Sequence, residues 1–188
     1  SNGMPILKII FDICLLRGRP QDLPASWNLF WLTVLAVVAT SYTSVVYIDG
    51  SSLGNLFHVI LHETIFGAVV WTVLKVRGRP ERWLQSIAAL YAVKALFSLI
   101  TLPFMPQVAE AAKHAFEAVQ QGNPAPFGWE LLFVFAVTIW HLLAMSQVMR
   151  HAAEVSFGLG VLISFLALVA AGMVKILLMT IFSIPVPA

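Results

Sequence analysis

The sequence predicts an all-α polytopic membrane protein, on three observations. Hydrophobic residues fill 60% of its 188 positions, above the roughly half usual in soluble domains. Charged residues are only 11%, against about a quarter in a typical globular chain. The apolar residues fall in runs of about twenty, the length of helix that crosses about 30 Å of hydrocarbon. A net charge of +2, with no basic run interleaved with aromatics, leaves no expectation of a nucleic-acid partner, and the apolar runs make the lipid bilayer the expected partner.

The elements follow in order. Ser1-Asn2-Gly3 ahead of Met4 reads as a cloning scar and is set aside from the fold. Residues 4–26 are expected to form an interfacial helix and a basic turn. "PILKIIFDICLL" is too short to span and carries Lys8 and Asp12 four apart on one stripe, the pattern of an amphipathic helix lying in the membrane surface. It also lacks the small-residue cleavage site of a signal peptide. Cys14 is the single cysteine, which rules out an intramolecular disulfide and a cysteine-based metal site. "RGRPQDLPAS" then breaks the helix with Gly18, Pro20 and Pro24.

Residues 27–188 are expected to form a five-span transmembrane domain. Ser26 is a plausible N-cap for a first span over Trp27 to Ile48, and "DGSSLGN" makes a short turn. A second span covers Leu56 to Leu74 and a third Trp83 to Leu102, stopped by Pro103 and Pro106. Residues 107–121 read as an outer amphipathic helix, with Glu110, Lys113, His114 and Glu117 on one face, closed by the turn "GNPAPFG". The fourth span is Trp129 to Met149 and the fifth Val155 to Ile184, long enough to tilt.

Counting basic residues by side orients this plan. Lys8, Arg17, Arg19, Lys75, Arg77, Arg79, Arg82 and Arg150 fall on one side, and only Lys113 on the other. The positive-inside bias therefore predicts a cytoplasmic N-terminus and an outer C-terminus. The tetrapeptide Arg-Gly-Arg-Pro occurs twice, in "LLRGRPQDLP" and "LKVRGRPERW". Its arginines, Arg17 and Arg19, then Arg77 and Arg79 with Arg82 beside them, read as orientation anchors at two cytoplasmic reversals. "AVKALFSLITLP" in span three echoes "MVKILLMTIFSIP" in span five, so spans two-three and four-five are candidate parallel hairpin repeats.

Ionisable residues inside a bilayer are costly and by default point to function. Glu63 lies roughly 11 Å in from the outer end of span two, and Lys94 roughly 13 Å in from that of span three. Opposite charges at similar depth predict a Glu63–Lys94 ion pair. Lys175 has no acidic neighbour in sequence; facing His141, binding an anionic headgroup and snorkelling outward are all open to it. Glu63, Lys94, His141 and Lys175 are thus a candidate intramembrane polar cluster.

"FHVILHET" offers a second set. His58 and His62 are four apart on one helical face beside Glu63, and with His141 as a third ligand they are candidate metal ligands, for a bound metal or haem iron. The competing reading makes these histidines packing residues bonded to neighbouring helices. Hydroxyls in "VVATSYTSVVY" likewise read either as a polar path or as groups bonding their own helix. No phosphate loop, nucleophile elbow or haem-attachment motif occurs, which points away from an enzyme and names no cofactor.

With this plan laid out, the start leading into "LLRGRPQDLPASW" resembles small inner-membrane proteins of Gram-negative bacteria, and the five-span, N-in/C-out plan is similar to the Yip1 superfamily. That resemblance implies a bacterial inner (plasma) membrane location. It also implies a non-enzymatic role in membrane organisation or assembly through lipid or protein partners. It implies no site residues and does not account for the intramembrane His/Glu/Lys set. Two alternatives stand beside it: a small-molecule, ion or proton pathway lined by that set, for which five spans predict a homo-oligomer or an unusually compact pore, and metal or haem binding through span two.

Overall fold

The computed structural model describes residues 5–124, 126 and 128–182. The expected cloning scar, the last residues of the fifth span and Pro185 of the lysine-proline echo lie outside these, as do Ala125 and Phe127 of the expected "GNPAPFG" turn. Every element among the described residues is helical, and five of the helical segments are long and apolar enough to cross a membrane.

The helices are α1 (Ile6–Cys14), α2 (Trp27–Asp49), α3 (Leu53–Val76), α4 (Trp83–Thr101), α5 (Met105–Gln120), α6 (Trp129–Ala153) and α7 (Phe157–Ile181). Ser26, Ser52 and Ser156 cap α2, α3 and α7, each hydroxyl accepting from a backbone N–H of the first turn. The prolines act as expected of a residue that has no N–H to donate. Pro103 sits in a 3-10 turn, Leu102–Phe104, and Pro106 in the first turn of α5, where the missing N–H costs nothing.

α1 buries Ile9, Ile10, Ile13 and Cys14 against α4 and α6, while Leu7, Phe11 and Leu15 remain exposed. The five long helices close a ring in the order α2, α3, α7, α6, α4 and back to α2. The two expected hairpin repeats pack differently within it. α6 and α7 are among the most closely packed neighbours in the ring, whereas α3 and α4, though joined by a short turn, touch over a limited stretch.

Small residues explain the tight pair. Gly160, Ser164, Ala167 and Ala171 form a buried stripe on α7 at spacings of three and four. A Cβ on Gly160 would stand 2.8 Å from the Ser146 carbonyl oxygen of α6, so only glycine permits this approach.

The two ends of the ring differ. The end carrying both Arg-Gly-Arg-Pro segments, here the basic end, is densely filled. Val37, Val70, Leu74, Ile87, Leu90, Val148 and Met149 are all essentially inaccessible there. The opposite end carries the α2–α3 turn and α5, and the buried Asn55, His58 and Glu63 lie toward it.

The repeated tetrapeptide does two different jobs. Both prolines open a 3-10 turn, Pro20–Asp22 and Pro80–Arg82. The glycines diverge. Gly78 takes a left-handed φ of 70° just past α3, as a helix-terminating glycine does. At the first copy Leu16 takes the left-handed position instead, with φ 62°. Gly18 is required for a different reason, because a Cβ there would meet the Ile13 backbone nitrogen at 2.8 Å.

The arginines of the second copy bind the end of α6. Arg79 Nη2 and Arg82 Nη2 both bind the Glu154 carboxylate, at 2.7 and 2.5 Å. Arg82 Nη1 donates to the carbonyls of His151 and Ala152, and Arg77 Nε to that of Ala153. These are the orphan carbonyls at the C-terminus of α6, where a cation also suits the helix dipole. The first copy is tied to α6 by side-chain amides, Gln147 Nε2 donating to Gly18 O and Gln21 Nε2 to His151 O. Arg17 and Arg19 are exposed at this end.

Candidate functional site: a polar cavity inside the helix ring

α3 and α4 meet at Gly67, where Trp83 Nε1 donates to the glycine carbonyl at 2.9 Å. One turn back toward the start of α3, the Tyr91 hydroxyl donates to the Glu63 carbonyl at 2.6 Å. Between Glu63 and the α2–α3 turn lies a cavity of about 390 Å³. α3 contributes Asn55, His58, His62 and Glu63 to its wall, and α2 contributes Ser41, Ser44 and Asp49. Lys94 and Ser98 come from α4, and Lys175 from α7.

The expected ion pair is present. Lys94 Nζ donates to Glu63 Oε1, joining α3 to α4 across the ring interior. The Glu63 side chain is only 5% exposed, so its charge depends on this partner. Its second oxygen, Oε2, is also buried and has no hydrogen-bond partner among the described residues. Lys175 lines the same cavity and forms neither an ion pair nor a hydrogen bond among the described residues.

The cluster of four is therefore split. Glu63, Lys94 and Lys175 share one chamber, while His141 lines a neighbouring space of about 310 Å³ with Phe97, Ser98, Thr101 and Thr138. Lys94 and Ser98 belong to both walls. The His141 ring lies tilted on Phe97, centroids 5.3 Å apart, and its Nε2 is buried without a partner among the described residues.

The candidate metal set divides along the same line. His58, His62 and Glu63 reach the first chamber and His141 the second. Among the described residues no three His, Cys, Asp or Glu side chains are grouped to hold a metal ion.

Span-one hydroxyls bond their own helix, as one of their two readings expects. Thr40, Thr43 and Ser44 donate to carbonyls one turn back in α2, the bond that lets a hydroxyl sit in a membrane helix. Ser41 and Ser44 also line the cavity, and Ser41 Oγ has no partner among the described residues.

Two features escaped sequence reasoning. One is Asn55, which is buried, lines the cavity and donates from Nδ2 to the Gly50 carbonyl at 2.8 Å, holding the α2–α3 turn. The signal was there, since an asparagine three residues past Ser52 lies inside the next helix rather than in the turn. The other is an apolar groove of about 600 Å³ between α2, α3 and α4, lined by Phe30, Trp31, Trp71 and Trp83 with Glu63 at its floor. No spacing rule foretells it, because its aromatics come from three separate helices.

No protein-family model, curated protein or solved structure matches this chain.

Proposed function

We propose that the protein is a non-enzymatic membrane protein whose ring encloses a binding site or pathway for a small charged molecule or ion. Access is from the end that carries the α2–α3 turn. One observation carries this reading: a cavity of about 390 Å³ gathers Glu63, Lys94 and Lys175, with His62 and Asp49, from four helices inside an otherwise apolar bundle. Charges placed in a membrane interior are costly and persist where a water-filled cavity, a partner or a ligand compensates them. A packing role accounts for the Glu63–Lys94 pair but not for the placing of Lys175 in the same cavity.

In a membrane, the basic end faces the cytoplasm by the positive-inside bias, with the N-terminus inside and the C-terminus outside. The membrane is the bacterial inner membrane if the resemblance in texture to such proteins holds. The exposed Leu7, Phe11 and Leu15 of α1 then rest in the interfacial layer.

The aromatic groove favours a second reading. Its 600 Å³ and its indole rings suit a lipid chain, and a role in membrane organisation through lipid or protein partners is what the Yip1 resemblance implies.

The double variant Glu63→Gln/Lys94→Met separates the two, because it removes both charges together and leaves neither unpaired. The cavity reading expects a panel of small charged metabolites to raise the Tm of the wild type and not that of the folded double variant. Equal Tm shifts in both proteins would contradict it.

A further inference from the structure

Resting on the cavity reading, we propose that the ligand is zwitterionic: an ammonium and an anionic group a few ångströms apart, as in an amino acid or an ethanolamine phosphate headgroup. Two groups on residues of the chamber wall are unanswered. Lys175 is a cation without a partner among the described residues, and Glu63 Oε2 is an acceptor nine-tenths buried and likewise unpartnered. Lys94 is already engaged with Glu63 Oε1, so it supplies no second free charge.

The three ligand types differ in what they leave unsatisfied. A simple anion answers Lys175 but brings no donor to Oε2. A simple cation answers Oε2 but meets the repulsion of Lys175 and Lys94. A molecule carrying both charges answers both groups and adds no net charge to a region of low dielectric. Asp49 at the chamber's outer rim provides a second acceptor along the ammonium's route inward. The volume lies at the low end of the roughly 300–1,000 Å³ of small-molecule sites, which limits the bound part to a small molecule or a headgroup.

Titration calorimetry on the whole protein in an uncharged detergent tests this, with glycine, glycerophosphoethanolamine, acetate, methylammonium and glycerol as probes. A zwitterion should bind roughly tenfold or more tightly than acetate or methylammonium, since each matched charge adds a charge-assisted hydrogen bond. Lys175→Met should reduce glycine binding to the level of methylammonium without loss of fold, because that lysine forms no ion pair or hydrogen bond among the described residues. Acetate binding as tightly as glycine would overturn the zwitterion and leave the cavity reading standing. Binding of none of the five probes would overturn both.

The natural source is read from nanodiscs. Glycine affinity at least roughly tenfold lower in phosphatidylethanolamine than in phosphatidylglycerol discs would identify a headgroup as the occupant. Equal affinity in the two would identify a soluble molecule.

Discussion

At the scale of single residues, burial and pairing decide what each charged or reactive group can do. Cys14 is 3% exposed, and burial pushes its thiol up to about 11, so it carries almost no thiolate at neutral pH. We expect it to resist maleimide in the folded protein and to react promptly after denaturation, as read by mass spectrometry. Glu63 and Lys94 are coupled more tightly. Lys94→Met alone leaves a buried carboxylate uncompensated and should cost roughly 3–5 kcal/mol, while the Glu63→Gln/Lys94→Met pair should cost much less. Thermal unfolding of the three proteins measures the difference. This pair was legible in the sequence because depth follows from counting residues along a helix. The split between His141 and the other polar residues was not, since counting gives height in the membrane and says nothing of which way round the ring a side chain faces.

The elements α6 and α7 are held by two distinct means. Along their length the small stripe of α7 sets the approach, so Gly160→Leu should destabilise the fold by roughly 1–3 kcal/mol through overpacking against Ser146. At the basic end the bonds from Arg79 and Arg82 hold the Glu154 carboxyl below the usual carboxylate range. A depressed folded value means the stabilisation is fully present above the ordinary carboxylate pKa and is lost as pH falls through the lower, folded one. The Tm of the wild type should therefore decline below about pH 4, and Glu154→Gln should show a lower Tm at neutral pH with a shallower acid slope. Helix boundaries were largely legible, because prolines, serine caps and runs of apolar residues mark them locally. The structure moves them by a few residues: α3 extends from Leu53 to Val76, α5 starts at Met105, and α7 starts at Phe157. The role of the second Arg-Gly-Arg-Pro was legible only in part. Its charge announced a membrane end, but its grip on α6 depends on a helix about seventy residues later in the chain.

For the whole molecule, the number of spans was legible from composition and run length, and the order of the ring was not. Every long helix here is apolar on most of its surface, so no helix declares its neighbours, and the packing is set by a few glycines and by the polar groups that must face inward. The ring order underlies the central proposal, a polar chamber entered from the α2–α3 turn, with Val70, Leu74, Ile87 and Val148 buried toward the basic end. Cysteine accessibility tests it most directly. In a Cys14→Ser background, Ser44→Cys, Ser98→Cys and Val148→Cys would each be exposed to an impermeant thiol reagent, added separately to either face of oriented vesicles. The account predicts that the first two react only from the face bearing the α2–α3 turn and that Val148→Cys reacts from neither. Cavity positions that stay unreactive from both faces, or that react from the basic end, would contradict it.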